Sequence, residues 1–187
     1  MNVHQLSIAY VPEQDRVLVR VNTQEGKELQ CWLTRRITLG MAPLIDKALT
    51  GQVARRGGVD PSHLAAMDEM SRKVVAQFQR NETLKSADFS TPYKAGPAGT
   101  ALFDTPLLVT EINIATLGNG QLRLHFAEKL AAGNPAHRNF QMALSEQLVQ
   151  AFVHLLERAV QQSQWRDVPA ASPPAAADGP EKPGYLN

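Results

Sequence analysis

Apolar and polar residues alternate along the first part of the chain, which is the two-residue period of a β-strand with one buried face. Two turn segments, Pro12–Asp15 and Thr23–Gly26, interrupt this alternation. The apolar positions are Leu6, Ile8 and Tyr10, then Val17, Val19 and Val21, then Leu29, Cys31 and Leu33. The pattern predicts three antiparallel strands in a meander.

Helical spacing replaces the alternation at Thr34, which is a candidate N-cap. The apolar positions that follow the helical period are Ile37, Met41, Leu44, Ile45 and Leu49. Gly40 and Pro43 lie within this stretch and predict a kink or two short helices, because proline removes a helical N–H donor. Gly51 is the predicted end.

A second helical segment is expected to begin at Asp60-Pro61, a cap residue followed by proline at the first helical position, and to run to about Asn81. Residues Lys85–Thr105 carry several prolines and glycines with little periodicity. An irregular connection of this length is uncommon within a compact domain and is often functional or mobile.

A hairpin is predicted after this connection. Leu107–Leu117 is strand-like, and Asn119-Gly120 is a strong two-residue turn signal. Alternation resumes after the turn at Leu122, Leu124 and Phe126.

Residues Asn134–Gln164 are predicted to form one long helix, opened by Asn134-Pro135. At 100° per residue, its apolar side chains cover an arc of roughly 200°, about twice that of an ordinary surface helix. These side chains are Leu144, Leu148, Val149, Ala151, Phe152, Val153, Leu155, Leu156, Ala159 and Val160. Such a helix needs cover on two sides, from its own sheet and from another helix or another molecule.

The order of elements is therefore βββ-αα-ββ-α, with the strands in contiguous antiparallel groups. This order predicts an α+β fold with an antiparallel sheet of about five strands (the meander plus the hairpin) packed against helices, including the long C-terminal helix. Residues 1–165 are expected to form a single domain. Residues 166–187, rich in proline and alanine, are expected to form a disordered tail.

Composition narrows the class of protein. The chain has 187 residues, 43% of them hydrophobic, and a formal net charge of +1, which argues against a broadly basic surface of the kind that coats DNA. The single cysteine excludes an internal disulfide. Neither a secretory signal nor a run of about 18 apolar residues is apparent, so we expect a cytoplasmic protein without a membrane span. Twelve arginines against seven lysines suggest a GC-rich bacterium.

No motif for catalysis, metal binding or a cofactor is evident. A Gly-x-Ser-x-Gly turn is missing, and Cys31 is interpreted as a small buried hydrophobe. The five histidines form no i, i+4 pair. Residues 96–100 resemble a glycine loop but lack the lysine and the helix that a phosphate site needs. We therefore expect no metal and no cofactor.

Two arginine pairs support one alternative function. Arg35 and Arg36 follow the predicted N-cap, where open helix amides favour anions, and Arg55 and Arg56 precede two glycines. These four residues could bind a nucleic acid or another polyanion.

The polar side of the C-terminal helix favours a contact with protein. It carries six glutamines and few charges, and glutamine costs less to desolvate at an interface than a charged side chain. We predict a non-enzymatic protein-interaction or adaptor protein that self-associates as a homo-oligomer through this helix. The predicted contact residues are Phe152, Leu156, Val160 and Trp165.

Two further hypotheses remain open. One is an enzyme with a pocket under residues 85–105, where Tyr93 and Lys94 lie without a convergent acid–base pair. The other is that Gly184–Asn187, at the end of the predicted tail, docks in a partner's groove.

Overall fold

The computed structural model describes residues 3–56, 70, 74, 84–85, 88–89, 91–97, 99–129 and 138–167; within α1 the side chains of residues 46–47 and 49–56 are not described. The fold is α+β, as predicted, with two sheets and two helices in the described part of the chain. The elements are β1 (Val3–Val11), β2 (Arg16–Thr23), β3 (Glu28–Leu33), α1 (Arg35–Arg56), β4 (Leu107–Val109), β5 (Glu111–Thr116), β6 (Leu122–Glu128), β7 (Arg138–Leu144) and α2 (Glu146–Ser163).

The predicted meander is present as β1, β2 and β3, with a 3-10 turn at Pro12–Gln14 between the first two strands. Its apolar positions lie opposite one another across the strands, for example Ile8 with Val19 and Val19 with Cys31. Alternation therefore fixed both the strands and the face that they bury, because a slip of one residue would turn every apolar side chain outward.

The predicted single sheet of about five strands is wrong. The first sheet has the order β1-β2-β3-β4, with β4 parallel to β3, and the second has the order β5-β6-β7. Thr110 separates β4 from β5, and its backbone N–H donates to the Ala127 carbonyl at 2.9 Å. The predicted strand Leu107–Leu117 thus divides between two sheets, because it pairs first with β3 and then with β6.

The β5–β6 hairpin is present, but its loop differs from the predicted two-residue turn. Leu117 N–H bonds to the Gln121 carbonyl at 2.8 Å, which leaves Gly118, Asn119 and Gly120 as the loop. Gly120 alone of the three has a positive φ, of 80°. This arrangement matches a type I turn followed by a left-handed glycine, whereas a two-residue type I′ turn needs positive φ at both central residues.

The C-terminal helix is shorter than predicted. Residues 138–144, the first described part of the predicted helix, form β7 instead, paired antiparallel with β6. Ser145 caps α2, and its hydroxyl accepts a hydrogen bond from Leu148 N–H at 3.4 Å. Phe140, Met142 and Leu144 are buried at every second position. The two-residue period of a strand was therefore present in the sequence, but this stretch was interpreted as part of the helix that follows. The predicted start at Asn134-Pro135 lies outside the described residues.

Helix α1 is a single helix of 22 residues rather than two short ones, and it passes through both Pro43 and Gly51. Ile37, Met41 and Ile45 are buried one turn apart on its inner face. Burial of this stripe offsets the hydrogen bond that Pro43 cannot make. Leu44, which the spacing assigned to the same stripe, is 48% exposed.

One contiguous core joins both sheets and both helices. Helix α2 packs mainly on β1, α1 contacts β5, and β4 contacts β6. The largest fully buried side chains include Phe126 and Phe152. The sheets therefore pack around side chains from every described element rather than around two separate cores.

Several predictions fall outside the described residues. They include most of the predicted helix from Asp60-Pro61 to Asn81 and the tail from residue 168 onward. Met70 and Val74 are helical and exposed. The domain boundary at residue 165 stays a prediction. Neither helix of the described chain is long and apolar enough to cross a membrane.

Candidate functional site

The four predicted contact residues on the C-terminal helix are all buried within the chain. Phe152 has no exposed surface, and Leu156, Val160 and Trp165 are each less than 9% exposed. Phe152, Leu156 and Val160 belong to the buried face of α2, and Trp165 follows two residues after the helix ends at Ser163. Contact between these residues and a partner stays a prediction. Because the four side chains are buried within the chain, a partner could not reach them in this structure.

Trp165 is held by partners within the chain. Its indole Nε1–H donates to Asp15 Oδ1 at 2.6 Å, and its ring meets that of Tyr10 edge-on with centroids 5.6 Å apart. The Arg35 guanidinium donates to the Trp165 carbonyl at 2.5 Å. Trp165 thus fastens the end of α2 to the β1–β2 turn and to the start of α1.

The predicted anion-binding arginines are only partly described. Arg35 is engaged by the Trp165 carbonyl, and Arg36 is exposed. The side chains of Arg55 and Arg56 lie outside the described set. The structure therefore gives Arg35 a partner that the sequence did not suggest, and polyanion binding stays a prediction.

One edge of the apolar face of α2 is only partly covered by the sheets, and we call this edge the flank. Leu148, Ala151 and Leu155 are each half-buried. At 100° per residue they span roughly 60° of the helix surface, next to the buried face that contains Phe152. The wide arc therefore divides into a core face and a half-buried flank.

This flank forms one wall of a groove of about 700 Å³. The other walls are formed by β1, by the end of β2, and by residues 88–89 and 91–97. The lining residues are His4, Gln5, Leu6, Asn22, Thr23, Gly26, Asp88, Phe89, Thr91, Lys94, Ala95, Gly96, Pro97, Gln147, Leu148, Ala151 and Leu155. Most of the exposed lining surface is apolar and polar side chains supply the rest, which is the usual composition of a binding cleft.

Phe89 stands at the edge of this groove. Its ring lies 5.2 Å from the ring of His154 on α2, tilted by 58°, and 41% of its surface is exposed. A large aromatic side chain left this exposed is a frequent feature of contact sites.

Residues 91–97, which we call the strap, contribute another wall of the groove. A cross-strand row of three polar side chains, one from each of the first three strands, fixes the strap to the first sheet. Gln5 is paired with Asn22, and Asn22 with Glu28. We call these three residues the polar row. The predicted irregular connection is therefore ordered along the strap by contacts far away in sequence.

Tyr93 and Glu28 lie at the centre of these contacts. The Tyr93 hydroxyl is 3.2 Å from Glu28 Oε1 and 3.0 Å from Asn22 Oδ1, and the Arg20 guanidinium lies 4.8 Å above the Tyr93 ring. Glu28 is only 7% exposed. Burial, followed by the nearby Glu28 charge, raises the pKa of Tyr93 above its usual value. The polar atoms of Tyr93 and Glu28 already have hydrogen-bond partners within the chain. The pair therefore holds the strap against the first sheet.

Other candidate chemistry adds little to this picture. Cys31 is fully buried, as predicted, and burial raises the pKa of its thiol, which disfavours the reactive thiolate. Among the described residues, no group of three or more histidine, cysteine or acidic side chains could hold a metal ion.

Sequence reasoning missed the polar row, and it anticipated the groove only in part, through the hypothesis of a pocket under residues 85–105. Gln5, Asn22 and Glu28 occupy alternate outward positions of separate strands, and only the register brings them together. Two of the glutamines assigned to the polar side of the last helix also lie elsewhere: Gln141 belongs to β7, and Gln150 is buried. Two sequence signals pointed to the groove, the wide apolar arc and the long irregular connection at residues 85–105.

Comparison with family models, with curated proteins and with solved structures finds no significant match to this chain.

Proposed function

We propose that this chain is a non-enzymatic protein-interaction or adaptor domain that self-associates through the half-buried flank of α2. The contact would be made by Leu148, Ala151 and Leu155 together with Phe89, rather than by the buried face of the helix. The observation that carries the proposal is the groove that these residues line.

The chemistry of the groove supports a protein ligand over a polyanion. Apolar atoms make up most of its exposed lining surface, and they include the exposed ring of Phe89. Apolar and aromatic side chains provide most of the binding energy at protein interfaces. Among the described residues that line the groove, His4 and Lys94 are the only basic ones. A phosphate backbone is normally met by a larger cluster of lysine and arginine.

Sedimentation tests self-association. The weight-average mass of the chain is expected to rise with concentration over the micromolar range. Leu155→Glu should keep the chain folded but shift the distribution toward monomer, because a charge would then have to be buried at the contact. Gln161→Glu, at an exposed position of the same helix, is the matched control and should leave the mass unchanged.

The neighbouring residue separates surface from core. Leu156→Glu is expected to unfold the domain, since Leu156 is 3% exposed, whereas Leu155 is half-buried. Circular dichroism distinguishes the two results. A strict monomer at tens of micromolar would remove self-association, and an unchanged mass distribution for Leu155→Glu would remove the groove flank as the contact.

The groove also favours a second candidate, an enzyme or small-ligand site beside residues 88–97. Its volume lies within the range of pockets that bind small molecules, about 300–1,000 Å³. A thermal-shift screen of metabolites tests this candidate. A compound that stabilises the wild-type chain but not a Leu148→Trp variant, in which the groove is filled, would support it. The absence of any such compound would count against it.

A further inference from the structure

The polar row contacts the strap in the way that a protein contacts a bound peptide. Gln5 Nε2 donates to the Pro92 carbonyl at 3.0 Å, and Gln5 Oε1 accepts from Lys94 N–H at 3.1 Å. Asn22 Nδ2 donates to the Lys94 carbonyl at 2.6 Å, and Glu28 Oε2 accepts from Gly96 N–H at 2.9 Å. Side chains on three adjacent strands thus bind the backbone of residues 92–96.

These contacts differ from ordinary strand pairing. Residues 92–96 belong to no strand, and the row binds their backbone through side chains instead of a ladder of main-chain bonds. Bonds to the backbone are independent of the side chains that the bound segment carries. The polar row can therefore bind any extended segment, provided that the segment's side chains at the few buried positions fit the site.

Two positions of the strap lie against the site and so determine which segments fit. Tyr93 and Gly96 are the half-buried positions of the strap, while residues 91, 92, 94, 95 and 97 are exposed. The Tyr93 hydroxyl reaches Glu28 and Asn22, under the Arg20 guanidinium. A Cβ at position 96 would lie 2.5 Å from Thr100 Oγ1 in the same loop and 3.3 Å from Glu28 Oε2 in the polar row, so any larger residue there would force these side chains to shift.

We propose that the polar row is a recognition site for an extended peptide in which a tyrosine is followed three residues later by a glycine. The strap occupies this site as an internal ligand, and a partner segment with the same pattern binds when the strap leaves. The strap is also a wall of the groove proposed for self-association, and Gln5 and Asn22 line that groove, so release of the strap would change both surfaces. Peptide binding tests this proposal and the mass of the wild-type chain tests self-association, so failure of one is distinguishable from failure of the other.

The covalent link explains why the strap fills the site in the isolated chain. A tethered segment binds at a high effective concentration, often in the millimolar range, so a free peptide with the same contacts cannot displace it efficiently. The test must therefore weaken the strap without altering the row. Tyr93→Ala combined with Gly96→Val removes the hydroxyl and introduces the collision while leaving Gln5, Asn22 and Glu28 intact.

The first measurement is release of the strap. In the double variant, backbone amides 93–96 should exchange with deuterium faster than in the wild-type chain, and trypsin should cleave faster after Lys94. If neither rate changes, the contacts of the row do not hold the strap and the proposal is wrong. Gly96→Ala, with the smaller addition, serves as the second host if the double variant unfolds by circular dichroism.

The second measurement is binding in trans. A fluorescein-labelled synthetic peptide of residues 91–97 should bind the released host by fluorescence anisotropy, and should bind the wild-type chain much more weakly. Peptides with the tyrosine changed to alanine or the glycine to valine should bind at least about tenfold more weakly. The first change removes a hydrogen bond to the Glu28 carboxylate, and the second introduces a collision with Glu28.

The remaining outcomes also decide the matter. Glu28→Gln in the released host should weaken binding of the unmodified peptide, whereas Glu13→Gln, an exposed change far from the row, should not. A released host that fails to bind the peptide at several hundred micromolar would overturn the proposal. Equal binding of all three peptides would overturn it as well, since the tyrosine and glycine would then carry no recognition.

Discussion

Asp15 shows how one residue connects distant parts of this chain. It lies in the left-handed backbone region, with φ of 48°, directly after the Pro12–Gln14 turn. Its Oδ1 accepts hydrogen bonds from Trp165 Nε1 at 2.6 Å and from the Tyr10 hydroxyl at 2.9 Å. These bonds, with the nearby charge of Arg35, lower the pKa of Asp15 below its usual value.

This lowered pKa predicts a loss of stability in acid. A carboxyl group whose pKa is lower in the folded state stabilises the fold above its unfolded pKa, and the contribution disappears as the pH falls through the folded value. Asp15→Asn keeps an acceptor oxygen and tolerates positive φ, but it has no charge to titrate. The melting temperature of the wild-type chain should exceed that of Asp15→Asn near neutral pH.

The difference should shrink as the pH falls below about 4, the ordinary range of an aspartate pKa. Melting curves at half-unit steps from pH 7 to pH 3 measure it. A constant difference over this range would show that the Asp15 charge does not contribute. Glu13→Gln, in the same turn, provides the control for a general change in surface charge.

At the level of elements, the boundary between β7 and α2 is set by a single cap. Leu144 is fully buried as the last residue of the strand, and Ser145 has extended dihedrals, with φ of −64° and ψ of 163°. Its hydroxyl accepts from Leu148 N–H, and its carbonyl accepts from Val149 N–H at 2.9 Å. The helix therefore begins directly after the strand, without a loop.

Removal of this cap should destabilise the domain. Ser145→Ala is expected to lower the free energy of unfolding by about 0.5–2 kcal/mol, because one amide at the helix start loses its acceptor. Ser145→Asp retains an acceptor at the same position and should stay close to wild type. Urea unfolding followed by circular dichroism measures both variants. A loss of equal size in Ser145→Asp would indicate that the hydroxyl contributes through packing and not as a cap.

At the level of the whole molecule, Arg138 connects the second sheet to the chain that leads into the first. Its guanidinium pairs with Glu128, which is 6% exposed, and donates to the Thr105 carbonyl and hydroxyl at 3.0 Å each. It also lies over the Phe103 ring, 5.6 Å from the centroid. This arginine therefore joins β6, β7 and the segment before β4.

Loss of Arg138 should cost far more stability than loss of an exposed ion pair. Arg138→Met leaves the buried Glu128 carboxylate without its cation, so we expect a loss of about 3 kcal/mol, the low end of the usual range because Arg138 retains some exposure. Lys129→Met, which removes the exposed partner of Glu111, should cost far less, because water screens an exposed ion pair. Urea unfolding compares them. Similar losses in both variants would show that Glu128 finds another partner or water.

The proposed binding features belong to this largest scale as well. The groove needs α2, β1 and residues 88–97 to meet, and the polar row needs three strands in register. The sequence indicated that the apolar face of α2 is too wide to be covered by one neighbouring element. It did not indicate which flank the sheets would bury, because that choice depends on where the sheets lie.

The sequence by itself determined the elements whose periods are unambiguous. Alternation fixed β1, β2, β3 and β6, because side chains of a strand point to opposite faces in turn and one face must be buried. It also determined the α+β class and the presence of a C-terminal helix. It misassigned β7, because Phe140, Met142 and Leu144 precede a strongly helical stretch without any proline or glycine between them.

The tertiary structure alone decided the division into two sheets, the parallel pairing of β4 with β3, and the contacts of the strap. Each depends on pairs such as Cys31 with Leu107 or Gln5 with Pro92, which are far apart in sequence. Local patterns specify which face of an element is apolar. They do not specify its neighbour, because many partners satisfy the same apolar face, and the choice among them is made by the packing of the whole chain.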